Sequence, residues 1–179
     1  MSTVISQGIG FLGLLAFIVS YQTKSNRTLY LFQMAGVLLF TLQFALFGAL
    51  SGCYSLGLMG VRNLMLYKYN DWAWIRRKVW PALFCVLFTV ILYITWAGPI
   101  SLLAYTAAVV STIFYWTNNA RNLRAVCLFV SSPCWLVYDI LVGSWGGLLN
   151  ELFTMGSIIV SIARFGWRAL GDPESEFQK

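Results

Sequence analysis

Histidine is absent from this sequence of 179 residues. Its absence excludes the serine triad, histidine-ligated metals and proton relays through imidazole, because each of these depends on that ring. The four cysteines lie in apolar stretches and form no Cys-x-x-Cys pair, which indicates small buried hydrophobic residues and not zinc ligands. The sequence therefore predicts no enzyme, no metal site and no cofactor.

Charged residues are scarce as well, at 10% of the chain, whereas hydrophobic residues make up 59% and the mean hydropathy is +0.74. Soluble domains carry about 25% charged residues, so this composition indicates a chain embedded in a lipid bilayer. Lysine and arginine outnumber aspartate and glutamate by 12 to 6. The basic residues form no run on a folded polar platform, which argues against nucleic acid as a partner.

Seven apolar stretches have the length of helices, and they predict an all-α membrane protein with seven transmembrane helices. The predicted spans are 5–21, 29–50, 52–67, 81–97, 100–116, 125–142 and 146–165. Crossing the hydrocarbon core takes about 17–25 residues, so the shorter spans are expected to extend into their flanks.

The basic residues fall in alternate connections between these spans. They follow the first span (Lys24, Arg27), the third (Lys68, Arg76, Arg77, Lys78) and the fifth (Arg121, Arg124), and they occur again near the carboxy terminus. Seven crossings bring all of these connections to one side of the membrane, which the positive-inside rule makes cytoplasmic. The sequence thus predicts an amino terminus outside the cytoplasm and a carboxy terminus inside.

Two sets of residues recur along the chain. Tyr21, Thr23, Arg27 and Leu29 recur at a constant offset as Tyr115, Thr117, Arg121 and Leu123, and Gly48 with Gly52 recurs as Gly143 with Gly147. The recurrence is either an internal repeat or a coincidence in a glycine-rich membrane sequence.

The repeat interpretation divides the chain into four parts. Residues 1–67 and 100–168 form two three-helix repeats, 68–99 form a cytoplasmic loop and a linker helix, and 169–179 form a cytoplasmic tail. Because one helix separates the repeats, both run in the same direction and can be related by an axis along the membrane normal. This 3+1+3 arrangement predicts a solute path at that axis.

Two carboxylates fall within predicted spans, Asp139 near the outer end of the sixth and Glu151 just over a turn inside the seventh. No basic residue is predicted on that side, so an ionised carboxylate there is costly without a partner. Either the pair forms a negative outer vestibule for a cation, a proton or a cationic solute, or Asp139 reaches outside water and Glu151 is a protonated packing residue.

Other polar or aromatic residues in the spans have two interpretations each. Arg62 either snorkels to the cytoplasmic interface or gates a central path. Trp135, which follows Pro133, either forms an aromatic wall for a solute or packs against neighbouring helices. Gln43 and Asn150 either contact a solute or hydrogen-bond between helices. The candidate solute-binding residues are Trp135, Asn150, Glu151, Asp139, Arg62 and Gln43.

Four segments carry a family resemblance: Val110-Ser111-Thr112, Cys134-Trp135, Gly143-Ser144-Trp145-Gly146-Gly147 and Arg164-Phe165. They resemble segments of the YgjV-type family of bacterial inner-membrane proteins. The similarity is strongest over 104–168 and weaker over 7–66. It implies a location in the bacterial inner membrane.

More distantly, Trp135-x-x-Tyr138 and Asn150 in a three-one-three layout resemble the SWEET, PQ-loop and vitamin-precursor transporters, which move small polar solutes. The sequence departs from them in lacking a Pro-Gln dipeptide and in having Phe44-x-x-Phe47-Gly48 and Asp139 where those families carry a Trp motif and Gly. The resemblance therefore implies the architecture and not a sugar substrate.

Together these features predict a transporter or facilitator for a small polar or cationic solute. One alternative is a non-transporting interaction or assembly protein, which would need an exposed apolar groove. A second is an intramembrane enzyme that uses Glu151 and Asp139 as acid and base, for which the sequence offers no nucleophile or metal motif. Small residues on the helix faces permit a homo-oligomer without requiring one.

Overall fold

The computed structural model describes residues 2–22, 26–69, 71–117 and 119–167, which contain helices and no strand. The α-helices are α1 (Ser2–Gln22), α2 (Asn26–Leu46), α3 (Leu50–Tyr67), α4 (Val79–Ile94), α5 (Ile100–Tyr115), α6 (Ala120–Val126), α7 (Ser132–Val142) and α8 (Trp145–Phe165). A short 3₁₀ helix, Ala73–Arg76, lies between α3 and α4. Lys24 and the predicted tail 169–179 lie outside the described residues.

A π-helical turn, Cys127–Ser131, joins α6 to α7 without a break. The described part of the chain therefore forms seven helical rods, one for each predicted span. In the turn, the backbone N–H of Ser132 donates to the carbonyl of Cys127, five residues earlier. Pro133 follows directly, and because proline cannot donate to the carbonyl four residues before it, the regular α-helical pattern is interrupted here.

Glycine and asparagine fix helix ends that apolarity alone placed wrongly. Gly48 has a φ of 71° and ends α2 before residue 50, so Leu50 opens α3 instead of closing the second span. Only glycine adopts this left-handed conformation readily. The side chain of Asn119 accepts hydrogen bonds from the N–H groups of Arg121 and Asn122, so α6 begins five residues before the predicted start at 125.

The fourth span also begins earlier than predicted, at Val79 and not at Pro81. A proline is tolerated in the first turn of a helix, where its missing N–H would have no intrahelical partner. Pro81 is therefore inside α4 and does not mark its boundary.

Six of the seven rods pack as a closed ring. Going round the ring, α1 contacts α2, α2 contacts α3, α3 contacts α5, α5 contacts the rod of α6 and α7, α7 contacts α8, and α8 contacts α1. Helix α4 packs on the outside, against α3 and α5. The centre of the ring is thus bounded by helices from both halves of the chain.

By length and apolarity, Arg121–Val142 is the one described helix that is long and apolar enough to cross a membrane. Shorter apolar helical stretches occur at Val4–Val19, Leu31–Leu46, Val79–Ile94 and Ile100–Tyr115. Large apolar side chains such as Leu38, Val86 and Ile140 are exposed on the outside of the bundle. An apolar exterior of this kind suits a surface in contact with lipid.

Candidate functional site

A cavity of about 80 Å³ lies at the centre of the six-rod ring. Every rod of the ring contributes to its lining. The polar or charged residues that line it are Gln33, Arg62, Asn63, Ser131, Ser132, Asp139, Asn150, Glu151 and Thr154. Five of the six candidate residues named from the sequence are brought together in this lining: Arg62, Trp135, Asp139, Asn150 and Glu151.

The two carboxylates face this cavity from neighbouring helices. Asp139 in α7 is only 3% exposed, so the interpretation in which it reaches water at the surface is wrong. Its Oδ1 atom is buried and has no hydrogen-bond partner among the described residues. Glu151 in α8 is half-buried and accepts a hydrogen bond of 3.2 Å from the side-chain amide of Asn150.

Arg62 contributes a positive charge to the same cavity from α3. Its side chain is 1% exposed, so it does not snorkel to the surface. The guanidinium donates to the hydroxyls of Ser111 and Thr112 in α5, at 2.9 and 3.0 Å, and to the side-chain oxygen of Asn63. It also lies over the ring of Tyr115, 4.4 Å from the ring centroid.

The α5 surface opposite Arg62 is arranged to accept these bonds. Ser111 and Thr112 both donate their own hydroxyl protons to the carbonyl of Ala108, which leaves lone pairs directed at the guanidinium. No partner for Arg62 was predicted from the sequence. The signal that could have identified one is the spacing of Ala108, Ser111, Thr112 and Tyr115, which lie on one face of α5 because they are three or four residues apart.

Trp135 forms part of the cavity wall and also packs against other aromatic rings. It stacks on Phe44 with the ring centroids 6.1 Å apart, and it meets Tyr138 edge-on at 5.4 Å. Both interpretations of Trp135 therefore describe features that coexist: one part of the side chain is held by aromatic packing and another faces the cavity.

Gln43 is the candidate residue that does not line the cavity. It is fully buried beside it, where its side-chain oxygen accepts a hydrogen bond of 3.1 Å from the hydroxyl of Ser144. Its Nε2 atom has no partner among the described residues. Gly10 allows this position, since a Cβ there would lie 2.3 Å from Nε2. Gln43 thus connects α2 to the turn between α7 and α8.

The arrangement combines one cation, two carboxyl groups, several amides and hydroxyls, and an aromatic wall around one space in the centre of an apolar bundle. Pockets that bind small ligands have this character, with a few polar groups placed on a mainly apolar lining. Groups of three or more histidine, cysteine, aspartate or glutamate side chains that could hold a metal ion do not occur among the described residues.

A family model described as a bacterial inner membrane protein, Imp-YgjV, matches residues 4–169. This match confirms the family resemblance and the bacterial inner membrane as the location. The distant similarity to SWEET and PQ-loop transporters is not shown and stays a prediction. No curated protein and no solved structure matches the chain.

Proposed function

Since the chain belongs to the Imp-YgjV family of bacterial inner membrane proteins, we propose that it is a transporter or facilitator for a small polar solute. The observation that carries this proposal is the convergence of Arg62, Asp139, Asn150 and Glu151 on one cavity that every rod of the ring lines. Charged side chains are costly within a bilayer and, where they occur, usually line solute or ion pathways. A bundle with a purely structural role would be at least as stable with apolar residues at these positions.

The positions of the charges support a seven-span topology with the amino terminus outside. The loop that carries the basic residues Lys68 to Lys78 lies at the end of the bundle where α3 and α5 finish. In that loop the carbonyl of Ile75 accepts a hydrogen bond from the indole N–H of Trp116, which directly follows α5. The opposite end holds the turns 47–49 and 143–144, which contain no lysine or arginine. By the positive-inside rule, the basic end is cytoplasmic.

Contacts between the two three-helix units support the 3+1+3 arrangement. Within the units, α2 lies between α1 and α3, and α7 lies between α5 and α8. Between the units, α1 meets α8 and α5 meets α3, so the first helix of each unit contacts the last helix of the other. A pseudo-twofold axis through the cavity requires this reciprocity, and small movements of one unit against the other would open the cavity to alternate sides.

A search for the solute provides the first test. The purified protein in detergent is screened by thermal unfolding against sugars, nucleosides, vitamins, amino acids and organic cations, since a ligand that binds only the folded state raises its apparent stability. The best compound is then supplied as a radiolabelled solute to proteoliposomes. We expect saturable stabilisation and saturable uptake by the unmodified protein.

Matched variants assign the effect to the cavity. Trp135→Phe and Asn150→Ala change cavity residues, whereas Trp145→Phe and Asp71→Asn change exposed residues outside it. Loss of stabilisation and uptake in the first pair, with both retained in the second, supports the proposal. If no compound stabilises the well-folded protein and none enters the proteoliposomes, the interaction or assembly protein becomes the better interpretation.

A further inference from the structure

A cluster of polar groups lies at the end of the bundle that carries no basic connection, where α1, α2, α7 and α8 meet. The side-chain amide of Gln7 donates to the carbonyl of Gly143 at 2.8 Å, and the hydroxyl of Ser144 donates to Gln43 at 3.1 Å. Asp139 lies one turn before the end of α7, and its carbonyl accepts the backbone N–H of Ser144 at 2.9 Å. The cluster thus adjoins the central cavity through Asp139, which belongs to both.

Three buried polar atoms in this cluster have no hydrogen-bond partner among the described residues: Gln7 Oε1, Gln43 Nε2 and Asp139 Oδ1. The Asp139 and Gln43 side chains are 3% and 0% exposed, respectively. Most buried polar groups in folded proteins are paired, because an unpaired one loses its hydration without compensation. One small ligand that contacts all three atoms would satisfy them together.

The Asp139 carboxyl is the one ionisable group among Gln7, Gln43, Asp139 and Gly143, so its negative charge is what attracts a positive ligand to the cluster. Asp139 lies between the carboxy terminus of α7, where the backbone carries partial negative charge, and the amino terminus of α8, where it carries partial positive charge. Its carboxyl group packs against the first turn of α8, since a Cβ on Gly147 would lie 2.3 Å from Oδ1. No bulkier residue fits between them, so Oδ1 is held in place at the edge of the cluster.

The ligand set matches a hard monovalent cation. Carboxylate, amide and backbone carbonyl oxygens are the ligands that such ions prefer, and helix C-terminal ends commonly supply them in membrane transporters. One carboxylate with neutral amides suits a single positive charge, whereas calcium sites combine several carboxylates. The amide of Gln43 can present either its oxygen or its nitrogen to the site by a rotation of 180°, since the two are distinguished only by their partners.

We propose that the cluster of Gln7, Gln43, Asp139 and Gly143 binds a monovalent alkali cation of the size of Na⁺, next to the solute cavity. The inference rests on the proposed transport function, within which this ion would be the coupling ion. Asp139 joins the two sites, so occupancy of one is expected to alter affinity for the other.

The test measures thermal unfolding of the full-length protein in detergent while NaCl replaces choline chloride at constant ionic strength. We expect a saturable rise in the melting temperature with Na⁺ and a smaller rise with K⁺. Asp139→Asn and Gln7→Leu should abolish or weaken the rise, and Asp71→Asn, in an exposed loop, should retain it. Gln7→Leu serves as the second variant if Asp139→Asn does not fold.

Three outcomes would overturn the cation site. They are a melting temperature that is insensitive to Na⁺, one that responds to pH alone, and a Na⁺ response that both variants retain. Uptake into proteoliposomes tests the transport proposal independently of the ion site. Na⁺ stabilisation without uptake of any solute leaves the ion site standing and removes transport, whereas uptake by a protein that Na⁺ does not stabilise leaves transport standing and removes the ion site.

Discussion

The hydroxyl of Tyr138 accepts a hydrogen bond from the backbone N–H of Gly52, with 2.8 Å between oxygen and nitrogen. The same hydroxyl lies 3.0 Å from that of Ser51, and the Tyr138 ring packs edge-on against Phe44. Gly52 is required for this contact, since a Cβ there would lie 2.6 Å from the Tyr138 hydroxyl. The Tyr138 side chain of α7 thus provides an acceptor for a free backbone N–H in the first turn of α3, across the bundle.

Replacing Tyr138 with phenylalanine should destabilise the protein. The change leaves the buried N–H of Gly52 without an acceptor, which costs about 1–3 kcal/mol. The control is Tyr93→Phe, because Tyr93 is 87% exposed and should change stability by less than about 0.5 kcal/mol. Unfolding by SDS in mixed micelles measures both free energies, and equal effects of the two variants would contradict the assignment.

Gly146→Ala should separate α1 from α8. A Cβ at residue 146 would lie 2.5 Å from the backbone carbonyl carbon of Gly10, and backbone cannot move aside as a flexible side chain can. Overpacking of this kind costs about 1–3 kcal/mol. Gly156→Ala in the same helix meets nothing within 4 Å and should be neutral or should stabilise the helix by up to about 1 kcal/mol. Melting temperatures of the two variants should therefore shift in clearly different amounts, and similar losses would show that the two helices are not in close contact.

Arg62→Lys should be poorly tolerated although it preserves the charge. A lysine ammonium cannot reproduce the planar fork that reaches Ser111, Thr112 and Asn63 together. Loss of a hydrogen bond from a charged group costs about 1.5–3 kcal/mol. Arg121→Lys, at an exposed position, is the matched control and should stay within about 0.5 kcal/mol. A stable Arg62→Lys protein would show that these bonds contribute little.

Cysteine labelling tests the proposed orientation. In intact spheroplasts, a membrane-impermeant maleimide should label Ala97→Cys, in the turn between α4 and α5, and should label Lys78→Cys only after the membrane is permeabilised. The unmodified protein gives the background from its four cysteines, which are all half-buried. The reverse pattern would place the amino terminus in the cytoplasm, and equal labelling of both sites would contradict a membrane crossing by α4 between them.

Hydrophobicity and charge were sufficient to predict the helices. Each predicted span corresponds to one helical rod, because a continuous apolar stretch of helical length has few other stable structures in lipid. The predicted helix ends were less accurate where a single residue determines the end. Gly48 and Asn119 end or begin helices through backbone conformation and capping, which an apolarity profile does not register.

The candidate site was predicted in part, because residue type and depth indicate function but pairing depends on packing. Polar residues within apolar spans were sufficient to identify Arg62, Asp139 and Glu151 as neighbours of a common space. The hydrogen-bond partners of Arg62 could not be predicted, since they are side chains 49 and 50 residues away in the sequence. Gln43 follows the interhelical one of its two interpretations, since its side-chain oxygen accepts a hydrogen bond from Ser144 beside the cavity.

The π-helical turn Cys127–Ser131 coincides with a change in the spacing of the recurring residues. Leu29 recurs 94 positions later as Leu123, whereas Gly48 recurs 95 positions later as Gly143. The turn lies between Leu123 and Gly143 and holds one residue more than an α-helical turn, while α2 is described as an α-helix throughout. Under the repeat interpretation, one inserted residue in the second unit would account for both the shifted offset and the turn. An inserted residue rotates the helix after it by about 100° about its axis, so the two units would then present different faces to the centre.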